Sequence, residues 1–264
     1  MKVRHLTAIL MLGLVSCEPS VGDKPATGFL DQSVLVEGTE YLYQIYVPRQ
    51  YDGRSETPLI LYLHGCGFDR WGNDGSRHTR FALGDTIRAD PQKFPAIVIF
   101  PQMPLRTHWL GLGNQVARSA LERTIAAYEV DESRLYLMGF SCGGNGVWKL
   151  AFEDPERFAA LVPVAGWARW RDNGRGTVYP AIAPERGPNE FAAVARKTAE
   201  VPTWIIHGAD DVQVDVIEAR GMADARGASA RYTEMVDVAH IDAISEAFRV
   251  EGLFDWLFRQ QRIR

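Results

Sequence analysis

Residues 135–144, Leu-Tyr-Leu-Met-Gly-Phe-Ser-Cys-Gly-Gly, constrain this chain more than any other stretch. Apolar residues of strand character run into a Gly-x-Ser-x-Gly turn made by Gly139, Phe140, Ser141, Cys142 and Gly143, and the residues after the turn read as helix. A serine held between strand and helix in this way sits in a sharp, strained turn, and glycines two positions to either side let backbones approach where a Cβ would clash. Its hydroxyl stands clear of the sheet, and the next backbone N–H points at the carbonyl it attacks. The rest of the chain must then supply a base, an orienting acid and a second donor for the developing negative charge.

The flanking sequence keeps the same rhythm. Continuous apolar runs at 59–63, 96–100, 161–165 and 201–206 are of the kind buried on both faces of a mostly parallel sheet. Helical segments are predicted between them at 79–89, 114–128, from the serine turn to 152, and at 215–226, with 242–259 closing the chain. The β-rich run 41–47 ends at Pro48 and fits a leading antiparallel strand, while 231–238 reads as a last strand. This alternation predicts an α/β fold, a mostly parallel central sheet with helices on both faces, as a single domain over 31–264. Residues 166–189 interrupt it. Trp167, Arg169, Trp170, Arg171, Arg175 and Tyr179 stand there among glycines and prolines, which predicts an inserted loop near the serine turn, too aromatic for disorder.

The N-terminus has a different character. Lys2, Arg4 and His5 precede an apolar stretch, 6–15, too short to span a bilayer, and Ser16 precedes Cys17. Residues 1–17 therefore predict an export signal. Leu14-Val15-Ser16-Cys17 also resembles the lipobox of bacterial lipoproteins, which implies lipidation of Cys17 and anchoring to the bacterial envelope, on the periplasmic side or at the cell surface. An ordinary signal peptide, with Cys17 incidental, is the alternative. Residues 18–30 then read as a tether. The net charge of −4 and the lack of a long basic run exclude nucleic acid as a primary partner. Cys66 and Cys142 are the two other cysteines, and with no His/Cys cluster beside them they predict neither a zinc site nor any other metal or cofactor.

A serine hydroxyl is a poor nucleophile near neutral pH, so it needs a base in hydrogen-bond reach and an acid to orient that base. Of the six histidines, His240 alone follows both the serine and an acid in chain order, Ser, Asp, His, on a loop past the penultimate element. His64 and His207 each precede a glycine at a strand end and read as structural. For the acid, Asp211 is preferred. Adjacent Asp210 stays open, because a one-residue slip after a strand changes which side chain faces the histidine. Asp215 is a third option, placed on the next helix.

His64-Gly-Cys-Gly67, Ile99-Phe-Pro-Gln102, the elbow segment, 154–160 and His207-Gly-Ala-Asp-Asp211 together resemble the α/β-hydrolase superfamily. Within it they resemble the phospholipase/carboxylesterase and esterase D-like group, near the dienelactone hydrolases, polyhydroxybutyrate depolymerases and feruloyl esterases. The resemblance implies a serine esterase with Ser141, His240 and Asp211 as triad. It also implies an oxyanion hole from the backbone N–H groups of Cys142 and of Cys66 or Gly67, the His-Gly-x-Gly turn giving the second donor. Asp215 stands where members often have proline, and 166–189 is longer than in compact members.

If both donors flank one carbonyl oxygen, Cys66 and Cys142 lie within or near disulfide range, so a bridge and two packed thiols are both open. Trp71, Trp109, Trp167 and Trp170, on loops at the carboxyl edge of the sheet, are candidate walls of an acyl or aryl pocket. Trp148, Trp204 and Trp256 fall in regular elements and are expected in the core. The expected activity is hydrolysis of a small-molecule or polymer-derived carboxylic ester. A prolyl-oligopeptidase-like peptidase and a non-catalytic binding module on the same scaffold are the competing readings.

Overall fold

The computed structural model describes residues 25–67, 78–92, 94–105, 107–172, 178–184 and 190–262. The export signal with Cys17, most of the tether, and Trp71 lie outside the described residues.

The chain enters the sheet through a hairpin. β1 (Gly28–Val36) and β2 (Thr39–Val47) pair antiparallel across Glu37 and Gly38, whose φ of 51° and 78° gives a turn twisted to suit the strands it joins. β1 starts inside the segment expected as tether. Asp31, Gln32 and Ser33 interrupt its apolar pattern because it is a half-exposed edge strand. β3 (Thr57–Leu63), β4 (Ile97–Pro101), β5 (Val130–Phe140) and β6 (Ala160–Val164) come after it. Next are the short pair β7 (Arg171–Asp172) and β8 (Val178–Tyr179), then β9 (Thr203–Gly208) and β10 (Ala230–Met235). The main sheet runs β1-β2-β4-β3-β5-β6-β9-β10, and every pairing from β4 to β10 is parallel.

Strand alternation divides the core into two layers. Leu59, Leu61, Ile99, Leu135 and Leu137 face α2 (Leu112–Ala127), α3 (Cys142–Glu153), α4 (Glu190–Lys197) and α5 (Ile217–Arg226). Their neighbours Ile60, Tyr62, Phe100, Tyr136 and Met138 face the other way, onto α1 (Leu83–Ala89), α6 (His240–Glu246) and α7 (Leu253–Leu257). Each such side chain contributes about 1.5–3 kcal/mol on full burial, so strands apolar at every position are stable only with both faces covered. Trp148 sits in the first layer, and Trp204 and Trp256 pack edge-on in the second, with ring centroids 5.4 Å apart.

Two helices differ from expectation. The closing helix is broken into α6 and α7, because Gly252 takes φ 75° between them. α4 has no counterpart in the sequence pattern, since its buried positions are Ala193, Val194 and Ala195, too small to stand out as an apolar stripe. Among the described residues no helix is long and apolar enough to cross a membrane.

Candidate active site

β5 delivers Ser141 to the carboxyl edge of the sheet, and α3 begins at the next residue. Ser141 holds φ 57° and ψ −116°, a conformation that side-chain-bearing residues avoid, and the fold fixes it from both sides. Its N–H donates to Val164 O at 2.8 Å, and its carbonyl accepts from Asn145 N–H at 3.0 Å. A Cβ at Gly143 would run into the carbonyls of Leu63 and His64, so α3 packs backbone to backbone on the end of β3. That contact brings the elbow beside the His64-Gly65-Cys66-Gly67 turn.

The Ser141 hydroxyl lies 2.9 Å from His240 Nε2, and His240 Nδ1 lies 2.6 Å from Asp211 Oδ2. A carboxylate only accepts, so Nδ1 carries the ring proton and Nε2 is free to accept from the serine. His240 is the first residue of α6 rather than a loop residue, positioned where the segment after β10 meets the residues that follow β9, with Asp210 N–H donating to Val238 O at 3.1 Å. Asp211 faces inward because its Oδ1 accepts the backbone N–H groups of Gln213 and Val214, at 2.9 and 2.8 Å. Asp210 is exposed, and Asp215 instead accepts Ile217 N–H at the start of α5. Burial alone would raise the Asp211 carboxyl, but hydrogen bonds from His207, His240 and the Val214 N–H, with the His240 charge, hold it well below the usual carboxylate range.

Ser141 and His240 open onto a cleft of about 440 Å³ lined also by Cys66, Gly67, Cys142 and Trp167. Cys66 and Cys142 are joined in a disulfide. As the first residue of α3, Cys142 has an N–H with no partner within its own helix, and it adjoins the serine. Trp167 makes one wall, its ring edge-on to Tyr179 at 4.9 Å and beneath the Arg171 guanidinium at 5.1 Å. Val212 and Ile241 stand at the mouth, 94% and 56% exposed.

The other tryptophans are placed differently. Trp109 lies behind the cleft, fully buried, donating its indole N–H to His64 O at 2.8 Å and meeting the His64 ring edge-on. It supports the turn from below, because the residues around it pack into the first core layer. Trp170 is also absent from the cleft lining. Its backbone N–H is held by Glu190 Oε2 at 2.8 Å, and its side chain is turned to solvent. His64 is structural, accepting Met103 N–H at Nε2 and donating from Nδ1 to Gly65 O. Tyr179 lines the cleft and His207 lies against Asp211, whereas the sequence placed the first only within the aromatic loop and read the second as structural. The aromatic content of 166–189 pointed towards the first, and the i, i+4 spacing of His207 and Asp211 was the only sign of the second. Among the described residues no three His, Cys, Asp or Glu side chains gather as a metal site requires.

Comparison with known proteins adds three relatives and one family. The prolyl oligopeptidase family matches residues 117–240, a span that contains Ser141, Asp211 and His240. Feruloyl esterase B of Thermothelomyces thermophilus is 30% identical over 169 residues, which cover 59% of this chain and 53% of that protein. A thermostable esterase of known structure aligns with a TM-score of 0.70 at 25% identity, over 89% of this chain and 63% of its own. A ferulic acid esterase from Anaeromyces mucronatus, solved with ferulic acid, aligns with a TM-score of 0.63 over 92% of this chain and 93% of its own; at 12% identity this bears on the fold alone. The chain spans about half the length of the curated relative it matches.

Proposed function

We propose that this chain, whose fold matches that of α/β-hydrolase esterases, is a serine esterase that cleaves carboxylic esters through an acyl-enzyme. The observation that carries this reading is the unbroken hydrogen-bond chain from Ser141 through His240 to Asp211, opening on a cleft. His240 Nε2 takes the hydroxyl proton as Ser141 Oγ bonds to the ester carbon, and Asp211 stabilises the imidazolium. The carbonyl oxygen, now negative, is received by the N–H groups of Cys142 and of Cys66 or Gly67. Collapse expels the alcohol, which takes the proton from His240. Water, deprotonated by the same nitrogen, then attacks the acyl carbon and returns Ser141 with a free acid.

The aromatic wall at Trp167 and Tyr179, together with the similarity to feruloyl esterase B, makes hydroxycinnamate esters the first acyl class to test. Initial rates on p-nitrophenyl acetate, methyl ferulate and an acetylated xylan, for the wild type and Ser141→Ala, decide the matter. Equal rates for the two proteins would remove the mechanism. The match to the prolyl oligopeptidase family keeps one rival, a peptidase, and preferential cleavage of a prolyl anilide over every ester would favour it. We further propose export and lipidation at Cys17, which metabolic labelling with an alkynyl fatty acid tests; equal labelling of Cys17→Ser would rule this out.

A further inference from the structure

Asp211 Oδ2 faces two imidazole rings. His240 Nδ1 approaches to 2.6 Å from α6, and His207 Nε2 to 3.2 Å from the end of β9. His207 is fully buried, and the same Nε2 is 2.9 Å from Val214 O. With two acceptors in front of Nε2, that nitrogen carries the proton. Nδ1 is buried with no partner, so it is left bare. The ring is thereby fixed as a donor whose one N–H is shared between the Val214 carbonyl, the nearer acceptor, and the Asp211 carboxylate. Buried neutral histidines in cores ordinarily satisfy both nitrogens. This one leaves Nδ1 without a partner while committing the other nitrogen to Asp211 and the Val214 carbonyl beside it.

We propose that His207 is a positioning residue for the reaction, a second donor that holds the Asp211 carboxylate in line with His240 and limits how much of its charge His240 feels. The proposal rests on the reading of Ser141, His240 and Asp211 as the triad. The groups around Asp211 support it. Its Oδ1 is held by the Gln213 and Val214 N–H groups, and Oδ2 by the two histidines. On β10, Glu234 lies opposite His207 in register, but its carboxylate is engaged by Arg220 and Tyr232. Adjacent Asp210 is exposed, and Asp242 in the first turn of α6 is exposed as well. The two rings are therefore the side chains that set the state of Oδ2.

The arrangement gives the effect a sign. Without the His207 N–H, more negative charge remains on Oδ2 in front of His240, and the protonated base is better stabilised. The acid limb of the kcat/KM–pH profile should move to higher pH. His207→Phe and His207→Asn lack a donor at the Nε2 position, whereas His207→Gln places an amide N–H there. Loss of alignment is expected to lower kcat by about 10- to 100-fold in Phe and Asn, the scale of small displacements of catalytic groups. Their acid limbs should shift upward, and Gln should restore both parameters. If Phe does not fold, the Asn and Gln pair carries the comparison. A wild-type profile in Asn or Phe, whatever the melting temperature, would overturn the proposal, as would Gln behaving like Asn. Ser141→Ala run in parallel separates the two readings: an active Ser141→Ala removes the triad itself, whereas an inactive one beside unchanged His207 variants removes only this inference.

Discussion

Cys66 and Cys142 are 76 residues apart in the chain and joined by a disulfide, with Cα atoms 5.3 Å apart. One partner sits in the turn after β3, the other is the first residue of α3, and both line the cleft beside Ser141. The bond is therefore a covalent strap between the two backbone segments proposed to receive the oxyanion. Cys66 Sγ also lies 3.9 Å from His108 Nδ1 and 4.0 Å from the Tyr179 hydroxyl, which seats the strap against the cleft wall.

Reduction of this disulfide should lower kcat more than it changes KM. Losing an oxyanion donor outright costs about 10²- to 10³-fold in rate, and a loosened donor should cost less than that ceiling. The comparison is wild type with and without dithiothreitol, and the Cys66→Ala/Cys142→Ala double variant. All should be assayed well below their melting points, because removing a native disulfide typically costs about 2–5 kcal/mol. Reoxidation should restore the rate. A reduced enzyme that turns over at the oxidised rate would show that the strap serves stability alone.

Asp211→Asn should nearly abolish turnover, while Asp210→Asn should not. An amide at 211 can donate to His240 Nδ1 and so favours the wrong tautomer, which in a serine triad costs about 10⁴-fold in kcat. Asp210 is exposed, and its backbone N–H, rather than its carboxylate, is committed, to Val238 O at 3.1 Å. Steady-state kinetics of the two variants on one ester suffices, and the reverse ranking would reassign the acid.

The same carboxylate should shape acid stability. The folded chain holds Asp211 below the ordinary carboxylate range, against burial, through the His207, His240 and Val214 donors. Its contribution is therefore complete above the unfolded value, about 3.9, and is lost progressively as pH falls towards the lower folded value. Melting temperatures of wild type and Asp211→Asn, measured from pH 7 to pH 2, should converge below about pH 4. A gap that stays constant across this range would contradict the linkage.

Arg226 makes a separate prediction, about stability. Its guanidinium is buried and donates to Thr198 O at 2.9 Å, to Thr198 Oγ1 at 2.5 Å and to Val201 O at 2.8 Å, clamping the connection from α4 into β9. Burial pulls the group down to about 10, so it remains charged at neutral pH and its donors are charge-assisted. Arg226→Met keeps much of the packing and removes these charge-assisted hydrogen bonds, while Thr198 O and Val201 O keep the Val201 N–H and the Thr203 hydroxyl as donors, so the expected loss is about 1.5–3 kcal/mol. Urea unfolding measures this loss, and kcat at 25 °C should be unchanged.

Much of this was legible because the informative residues are local. The strand, glycine and serine pattern at 135–144 pointed to Ser141 and chain order pointed to His240, two residues that the fold brings within hydrogen-bond distance. What escaped depends on side-chain direction between segments distant in sequence. Whether Cys66 and Cys142 bridge, whether Asp210 or Asp211 faces the histidine, and which tryptophans line the cleft are decided by the relative rotation of separate loops. Trp109 illustrates the point, since its indole N–H found the His64 carbonyl behind the cleft. β1 and α4 escaped for a different reason. A half-exposed edge strand and a helix packed through alanines carry too little apolar contrast to be seen.

Trp167 should set acyl preference. Its ring is buried against Tyr179 and forms a wall of the cleft, while its carbonyl accepts Asn145 Nδ2 at 2.9 Å, which anchors the backbone whatever the side chain is. An aromatic acyl group would pack on this wall, whereas an acetyl group is too short to reach it. Discrimination by apolar pocket contacts is worth about 1–3 kcal/mol, or roughly 10- to 200-fold. In Trp167→Leu, which leaves a smaller void than alanine, kcat/KM for methyl ferulate should fall by about 10- to 100-fold, while the value for p-nitrophenyl acetate should change little. The ratio of the two substrates is the decisive quantity, because a general disturbance of the site would depress both together. A parallel fall would assign Trp167 to packing and leave the aromatic acyl group to be recognised elsewhere.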